Sequence, residues 1–138
     1  MREIKFRGRS THSDDWCYGS FVNNPDEPTI CGFDIWADGD SDWREEKVEP
    51  HTVGQYTGLC DKNGKEIYEG DIIRTYGSKG DEIKHTVEYS DKEAMFCTKL
   101  IGADMLGGSI TQRWLDEFEF EVIGNVHDNP QLLKGGEK

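Results

Sequence analysis

Apolar and polar residues alternate in short runs along most of this chain, and Gly, Pro, Asn or Asp interrupts the runs about every 8 to 12 residues. The runs are rich in Val, Ile, Thr, Tyr, Phe and Trp, which are the residue types that favour strands. The alternation is clearest where Phe118, Phe120 and Val122 are separated by glutamates. A period of two indicates a strand with one buried and one exposed face. The pattern therefore predicts a mainly β fold.

Strands are predicted over residues 4–7, 17–22, 29–36, 56–59, 66–68, 71–76, 84–89, 95–100 and 117–123. Residues 102–108 are expected to be a flexible crossing, and residues 109–116 carry a short helical pattern. Val122 and Ile123 break the alternation, which predicts a β-bulge. The apolar phase of the strands predicts a core of Ile4, Phe6, Ile67, Ile72, Val87, Tyr89, Phe118, Phe120 and Val122.

The strongest turn signal is Asn63-Gly64, which lies between two predicted strands. Both residue types tolerate a positive φ, and this dipeptide favours a type I′ turn. The sequence therefore predicts a hairpin that joins residues 56–59 to residues 66–68 through a type I′ turn.

The charge of the chain restricts its partners and its compartment. Its 138 residues include 16 Lys and Arg against 28 Asp and Glu, which gives a net charge of −12. This average field repels a phosphate backbone and disfavours direct nucleic-acid binding. No apolar run approaches the roughly 20 residues of a membrane span, and the charged start lacks the apolar stretch of a signal peptide. We therefore expect a cytoplasmic protein with no membrane partner.

Metal and redox sites are not expected from the cysteines or the acidic residues. Cys17, Cys31, Cys60 and Cys97 form no C-x-x-C motif, which favours structural thiols over a metal or redox role. Residues 37–49 are acidic and are predicted to be a surface loop or hairpin. Four carboxylates there match positions 1, 3, 5 and 12 of a calcium loop: Asp38, Asp40, Asp42 and Glu49. Position 6 is Trp43 instead of Gly, so a solvated hairpin tip is favoured over a calcium site.

Motifs for catalysis are also missing from the sequence. The four histidines are scattered without metal-ligand spacing, no Gly-rich phosphate loop precedes a helix, and no G-x-S-x-G elbow occurs. We therefore expect no enzyme activity, no metal and no cofactor.

Two features favour binding. Basic residues are concentrated in the first strand, and the chain has more aromatic residues than a small core absorbs. The basic strand could neutralise the acidic segment within one chain or between two, and the second case gives a homo-oligomer through the N-terminal strand. The aromatic residues could be core or interface. The candidate binding residues are Tyr56, Tyr68, Tyr76, Trp43 and Trp114.

Several motifs occur together along the chain: REIKFR at residues 2–7, QYTGL at residues 55–59, DKNGKEIYEGDI at residues 61–72, EVIGN at residues 121–125 and NPQLL at residues 129–133. Taken together, they resemble the YopX family of bacterial phage and prophage proteins. Cys60 stands where the family is expected to have a charged or polar residue.

The resemblance implies a small β-rich fold with an SH3-like barrel in the C-terminal half, a bacterial cytoplasmic setting and no established activity. We expect residues 1–54 to form an N-terminal β region packed on the barrel. Residues 55–133 are expected to be the barrel region, and residues 134–138 a disordered tail.

Three functions remain open at this point. The first is a non-enzymatic module that binds a protein partner of unknown identity, which asks least of the sequence. The second is an acidic inhibitor that mimics nucleic acid and occupies a DNA-binding protein. The third is single-stranded nucleic-acid binding by the barrel through Tyr56, Tyr68 or Tyr76, which needs a basic groove beside these rings.

Overall fold

A computed structural model of the chain describes residues 2–35, 41–103 and 106–134. Within these ranges the backbone forms antiparallel strands, so the prediction of a mainly β fold is confirmed. None of the helices in those ranges combines the length and apolar character needed to cross a membrane. Contacts divide the chain into two compact units, Met1–Tyr56 and Thr57–Lys138.

The first unit contains β1 (Phe6–Arg9), β2 (Trp16–Val22), β3 (Thr29–Ile35), β4 (Ser41–Lys47) and the start of β5 (Gly54–Cys60). These strands lie in the order β4-β3-β2-β1-β5. The predicted strands match β1 to β3 to within two residues. The acidic segment predicted as a loop or hairpin contributes β4, which forms a hairpin with β3. Trp36, Asp38 and Asp40 lie outside the described residues.

One face of this sheet carries the core of the first unit. The buried residues Cys17, Ile30 and Val48 form that core, and Phe6, Phe21 and Val53 pack against it. Phe6 is half-buried, with its ring centroid 5.5 Å from that of Phe21. Gly19 allows β2 and β3 to approach closely, because a Cβ atom there would collide with the carbonyl oxygen of Cys31.

Two expectations for the N-terminal segment are wrong. Ile4 is 58% exposed, because it precedes β1 and the alternation of the sheet does not apply to it. Strand β1 pairs with β2 on one side and with β5 on the other, so it is not the exposed first strand that edge pairing between chains requires. Within one chain, this basic strand meets the acidic segment at its end, where the Glu49 amide donates to the Arg9 carbonyl oxygen at 2.8 Å.

The second unit contains the end of β5 and β6 (Glu66–Tyr68), β7 (Asp71–Tyr76), β8 (Glu82–Ser90), β9 (Met95–Leu100), β10 (Leu106–Ser109), α1 (Gln112–Glu117) and β11 (Glu121–Asn125). An antiparallel sheet has the order β10-β9-β8-β7-β11. The segment predicted as a flexible crossing contains β10, because residues 106–109 pair with β9. The predicted bulge is confirmed by a register shift between Val122 and Gly124.

The core of the second unit is packed around Phe120. Its buried members are Ile67, Ile73, Val87, Ile110, Leu115 and Phe120. The four residues predicted as buried here, Ile67, Ile72, Val87 and Phe120, are each exposed by 1% or less. Val122 is half-buried and packs against this cluster.

Two residues predicted for this core are exposed instead. Tyr89 is 40% exposed near the end of β8, where its ring packs edge-on against that of Phe96 with centroids 5.2 Å apart. Phe118 is 50% exposed because it caps the end of α1 and does not belong to a strand. The next residue, Glu119, has a φ of 53°, so the backbone turns before Phe120 enters the core.

We expect Phe120 and Phe118 to differ sharply in their contribution to stability. Phe120→Ala removes a fully buried ring and should lower the free energy of unfolding by about 3–5 kcal/mol. Phe118→Ala, two positions away, should change it by no more than about 0.5 kcal/mol because half of that ring is in solvent. Urea unfolding monitored by circular dichroism compares the two. Equal losses would show that the core is wrongly assigned.

The Asn63-Gly64 hairpin is present, but its turn is not of type I′. Among the described non-glycine residues only Ala94 and Glu119 have a positive φ, so Asn63 does not, whereas Gly64 has a φ of 81°. The amide of Gly64 donates to the carbonyl oxygen of Asp61 at 2.9 Å, as in a type I turn followed by a left-handed glycine. The side chain of Asp61 selects this geometry, because its Oδ1 accepts the amides of Asn63 and Lys65 at 2.8 and 2.9 Å.

Asp61 also ties this turn to the last strand. The residue is 5% exposed, and its Oδ2 accepts the amide of Val122 at 2.9 Å. The Lys62 amide donates to the carbonyl oxygen of Phe120 at 3.0 Å beside it. One buried carboxylate therefore satisfies three backbone amides in two distant segments.

Removal of this carboxylate should destabilise the second unit. Asp61→Ala leaves three amides without their acceptor, and we expect the free energy of unfolding to fall by about 2–4 kcal/mol. Asp61→Asn keeps one side-chain oxygen as an acceptor and should give a smaller loss. Asp91→Ala, in the exposed turn between β8 and β9, is the matched control and should have little effect. A loss for Asp91→Ala equal to that for Asp61→Ala would refute this role.

His85 is a buried polar residue within this core. It is 9% exposed, and its ring centroid lies 5.5 Å from those of Trp114 and Phe120. Its Nδ1 atom has no hydrogen-bond partner among the described residues. Burial away from water lowers the pKa of His85 below its ordinary value of 6.5.

The stability of the second unit should therefore depend on the pH. As the pH falls below about 6.5, His85 of the unfolded chain takes up a proton before His85 of the folded chain does, so stability is lost towards acid. We expect the urea midpoint to fall between pH 7.5 and pH 5.5. His85→Phe should reduce this fall, whereas replacement of the exposed His51 by Phe should not. An unchanged fall in His85→Phe would contradict the assignment.

Candidate functional site

Large side chains are exposed on the face of the first unit's sheet that points away from its core. They are Tyr18, Val22 and Trp43, which are 47%, 51% and 54% exposed. Tyr18 and Val22 alternate along β2 with inward residues such as Cys17. The register places Val22, Thr29 and Lys47 side by side, and Trp43 lies four residues before Lys47 on β4. Because side chains of a strand alternate, all of these lie on one face.

Trp16 extends this face towards β1. It lies opposite Arg9 in the register, and Tyr18 lies opposite Arg7. The guanidinium carbons of Arg7 and Arg9 are 4.8 and 5.2 Å from the centroid of the Trp16 ring, within the range of cation–π contacts. Arg7 is 6% exposed, so its long side chain is packed among its neighbours. We refer to Trp16, Tyr18, Val22 and Trp43 as the aromatic face.

The sequence of β2 explains why this face is apolar. Its inward positions are Cys17, Gly19 and Phe21, and its outward positions carry Trp16, Tyr18, Ser20 and Val22. A strand at a solvated surface alternates apolar with polar residues, but β2 has large apolar residues in both phases. That double pattern is typical of a strand whose second face is covered when the protein is in use.

The arrangement is suited to binding a protein surface. Aromatic residues and arginine are the types enriched at the centres of protein interfaces, where they provide large contact area at low conformational cost. An exposed apolar patch on a sheet is also a recognised mark of an interaction site.

The structure separates the five candidate binding residues predicted from the sequence. Trp43 is exposed on the aromatic face, and Tyr56 is half-buried with Lys5 Nζ 5.4 Å from its ring centroid. Tyr76 is 58% exposed in the second unit, where the Arg74 guanidinium carbon lies 5.4 Å from its ring centroid. Tyr68 is 3% exposed and belongs to the interior. Trp114 packs against the core, with its ring centroid 4.3 Å from that of Phe120.

Tyr68 and Trp114 were ambiguous in the sequence because aromatic residues are equally common in cores and at interfaces. Their burial removes them from any surface, so the prediction of these two as binding residues is wrong. Tyr18 and Val22 were not among the candidate residues. The signal that identifies them is the apolar outward phase of β2.

A second polar cluster resembles a catalytic set without forming one. Ser10 Oγ donates to Glu46 Oε2 at 2.5 Å, and His12 Nδ1 lies 3.6 Å from the same oxygen. The carboxylate therefore stands between the hydroxyl and the imidazole, whereas nucleophile activation needs the imidazole in the middle. Ser10 Oγ also accepts the amides of His12 and Ser13, at 3.0 and 3.3 Å, which is how a serine fixes a loop.

The cysteines and acidic residues show no built metal site where the structure describes them. No group of three His, Cys, Asp or Glu side chains could hold an ion in residues 2–35, 41–103 and 106–134. Burial, and then the charge of Glu45, raises the pKa of the Cys31 thiol. Burial, and then the charge of Glu88, raises that of Cys97. Both thiols are therefore protonated at neutral pH and are weak nucleophiles.

The second unit has an open cavity of about 440 Å³ on the outer side of β8 and β9. Its walls include Glu88 and Lys99 together with the apolar side chains of Val126 and Leu133. The Thr86 hydroxyl donates to Glu88 Oε2 at 3.0 Å, which holds this carboxylate at the wall.

The fold and the aromatic face define a small antiparallel β protein of two units with an exposed apolar sheet face. A sequence model described as "YopX protein" matches residues 5–134. The chain therefore belongs to the YopX family.

Comparison with solved structures agrees with this assignment over nearly the whole chain. The crystal structure of protein EF1440 from Enterococcus faecalis is similar to this chain, with a TM-score of 0.61 and 25% sequence identity. The match covers 97% of this chain and 100% of that chain. No curated protein matches the chain.

Proposed function

We propose that this chain is a non-enzymatic protein-interaction module of phage or prophage origin and that its docking surface is the aromatic face. The observation that carries the proposal is the position of Tyr18, Val22 and Trp43, which are each about half exposed on one side of one sheet. Burial of such side chains against a partner removes apolar surface from water, which drives association. Trp16 and the two arginines beside it supply the residue types of interface hot spots.

Finer features of the proposal concern the second unit and the setting. The order β10-β9-β8-β7-β11, with a short helix before the last strand, supports an SH3-like barrel in the C-terminal half. Family membership supports a bacterial cytoplasmic setting.

Two other functions are outcomes of the same test. The net charge of −12 is compatible with an inhibitor that mimics nucleic acid. Binding of a single strand through the three tyrosines is weakened by the burial of Tyr68, whose ring cannot stack on a base.

The test is affinity capture from lysate of a bacterium that carries a prophage of this family, followed by mass spectrometry. The wild type is compared with the double variant Tyr18→Ala/Trp43→Ala, which removes two exposed rings from the aromatic face. We expect a protein that is enriched by the wild type to be captured about tenfold less well by this variant, which corresponds to about 1.4 kcal/mol of binding free energy.

The matched control is Tyr76→Ala/Phe118→Ala, which removes two exposed rings from the second unit and should retain capture. Equal loss in both double variants would contradict the proposed surface. Capture of a DNA-binding protein that is displaced by added DNA, and is insensitive to the aromatic-face variant, would favour mimicry instead. Nuclease-sensitive capture would favour nucleic-acid binding.

A further inference from the structure

Strand β4 is the outermost strand of the first unit's sheet in the part of the chain that the structure describes. It pairs with β3 along seven positions, from Ser41 opposite Ile35 to Lys47 opposite Thr29. Its sequence, SDWREEK, places Trp43 between an acidic and a basic residue. Backbone groups on the outer side of such a strand can pair with a further strand.

The hydrogen bonding of Trp43 shows which amides point outward. The Trp43 amide donates to Oδ1 of the neighbouring Asp42 at 2.8 Å. An amide directed at β3 would be used by the ladder, so the amide of Trp43 is directed at the outer edge. Because the direction alternates along a strand, the amides of Ser41 and Glu45 share it.

We infer that two copies of this chain associate through antiparallel pairing of β4 with β4, centred on Trp43. The occupant of the edge is then a second copy, and a two-fold axis relates the two strands. In this register each Trp43 amide donates to the Trp43 carbonyl oxygen of the second copy. Asp42 in each monomer therefore covers the amide that the dimer uses.

Charge complementarity selects this register. Centring on Trp43 places Asp42 opposite Arg44 of the second copy, twice, and Ser41 opposite Glu45 of the second copy, so no like charges face each other in residues 41–45. Opposite charges across an antiparallel pair are stabilising and like charges are not.

The neighbouring symmetric registers are less favourable. Centring on Arg44 sets the two copies of Arg44 against each other and Asp42 against Glu46. Centring on Glu45 sets the two copies of Glu45 against each other. Both place like charges directly opposite across the new ladder, which is destabilising.

The inference does not depend on the proposed function, because it uses a different part of the sheet. Asp42 and Arg44 alternate with Trp43 along β4 and so lie on the opposite face from the aromatic face. Variants at these two positions leave the aromatic rings in place, so the two proposals can fail separately.

Charge-swapped variants test the register. Asp42→Arg should face Arg44 of the second copy, and Arg44→Asp should face Asp42 of the second copy, so each should weaken the dimer by about tenfold or more in Kd. An equimolar mixture of the two restores two opposite-charge pairs and should form a heterodimer with near wild-type Kd. Sedimentation velocity over about 1–500 μM measures each Kd.

The controls change the charge by the same amount at an exposed turn. Asp91→Arg and Lys92→Asp, between β8 and β9, should dimerise like the wild type. Circular dichroism must be unchanged in all variants. For a variant that fails this check, hydrogen exchange of residues 41–47 in the wild type replaces it, and protection of that peptide should rise with protein concentration.

Several results would overturn the inference. A wild type that stays monomeric to about 0.5 mM would do so, and so would single variants that dimerise normally or a mixture that fails to recover. Rescue of Arg44→Asp by Glu46→Arg instead of by Asp42→Arg would assign the register centred on Glu45 and overturn this one. Protection of residues 41–47 that is independent of concentration would likewise exclude the dimer.

Discussion

The second unit depends on the buried carboxylate of Asp61. Its two oxygens accept amides from the hairpin turn and from β11, residues that are 61 positions apart for the Val122 bond. A buried charge is tolerated only when it is fully hydrogen-bonded, and here the bonding groups fix both the shape of the turn and the start of the last strand. Once β11 is held there, Phe120 enters the core and the segment after α1 has only one way to continue.

The strand pattern was largely readable from the sequence, because alternation of apolar and polar residues follows from the geometry of a half-buried strand. It failed where that geometry stopped. Phe118 and Phe120 have the spacing of one strand, but a helix end and a positive φ at Glu119 separate them. The turn type failed for a related reason, since local propensity favoured type I′ while a side chain two residues earlier, Asp61, imposed another geometry.

The candidate site was only partly predictable. Trp43 could be proposed because it stands among charged residues, where an apolar side chain has little reason to be. Tyr68 could not be excluded, since its burial arises from tertiary contacts that no local pattern records. The position of β1 inside the sheet is another such case, because the pairing with β5 joins residues almost fifty positions apart.

The loop between β1 and β2 is fastened to the outermost strand rather than to its own neighbours alone. The Ser10 hydroxyl bonds to Glu46, and the Thr11 amide donates to the carbonyl oxygen of Lys47 at 3.0 Å. The amides of His12 and Ser13, which are bonded to Ser10 Oγ, are thus linked to β4 through a single hydroxyl group. In an NMR spectrum these two amide resonances would act as a built-in reporter of what occupies the edge of the sheet, although neither residue needs to touch it.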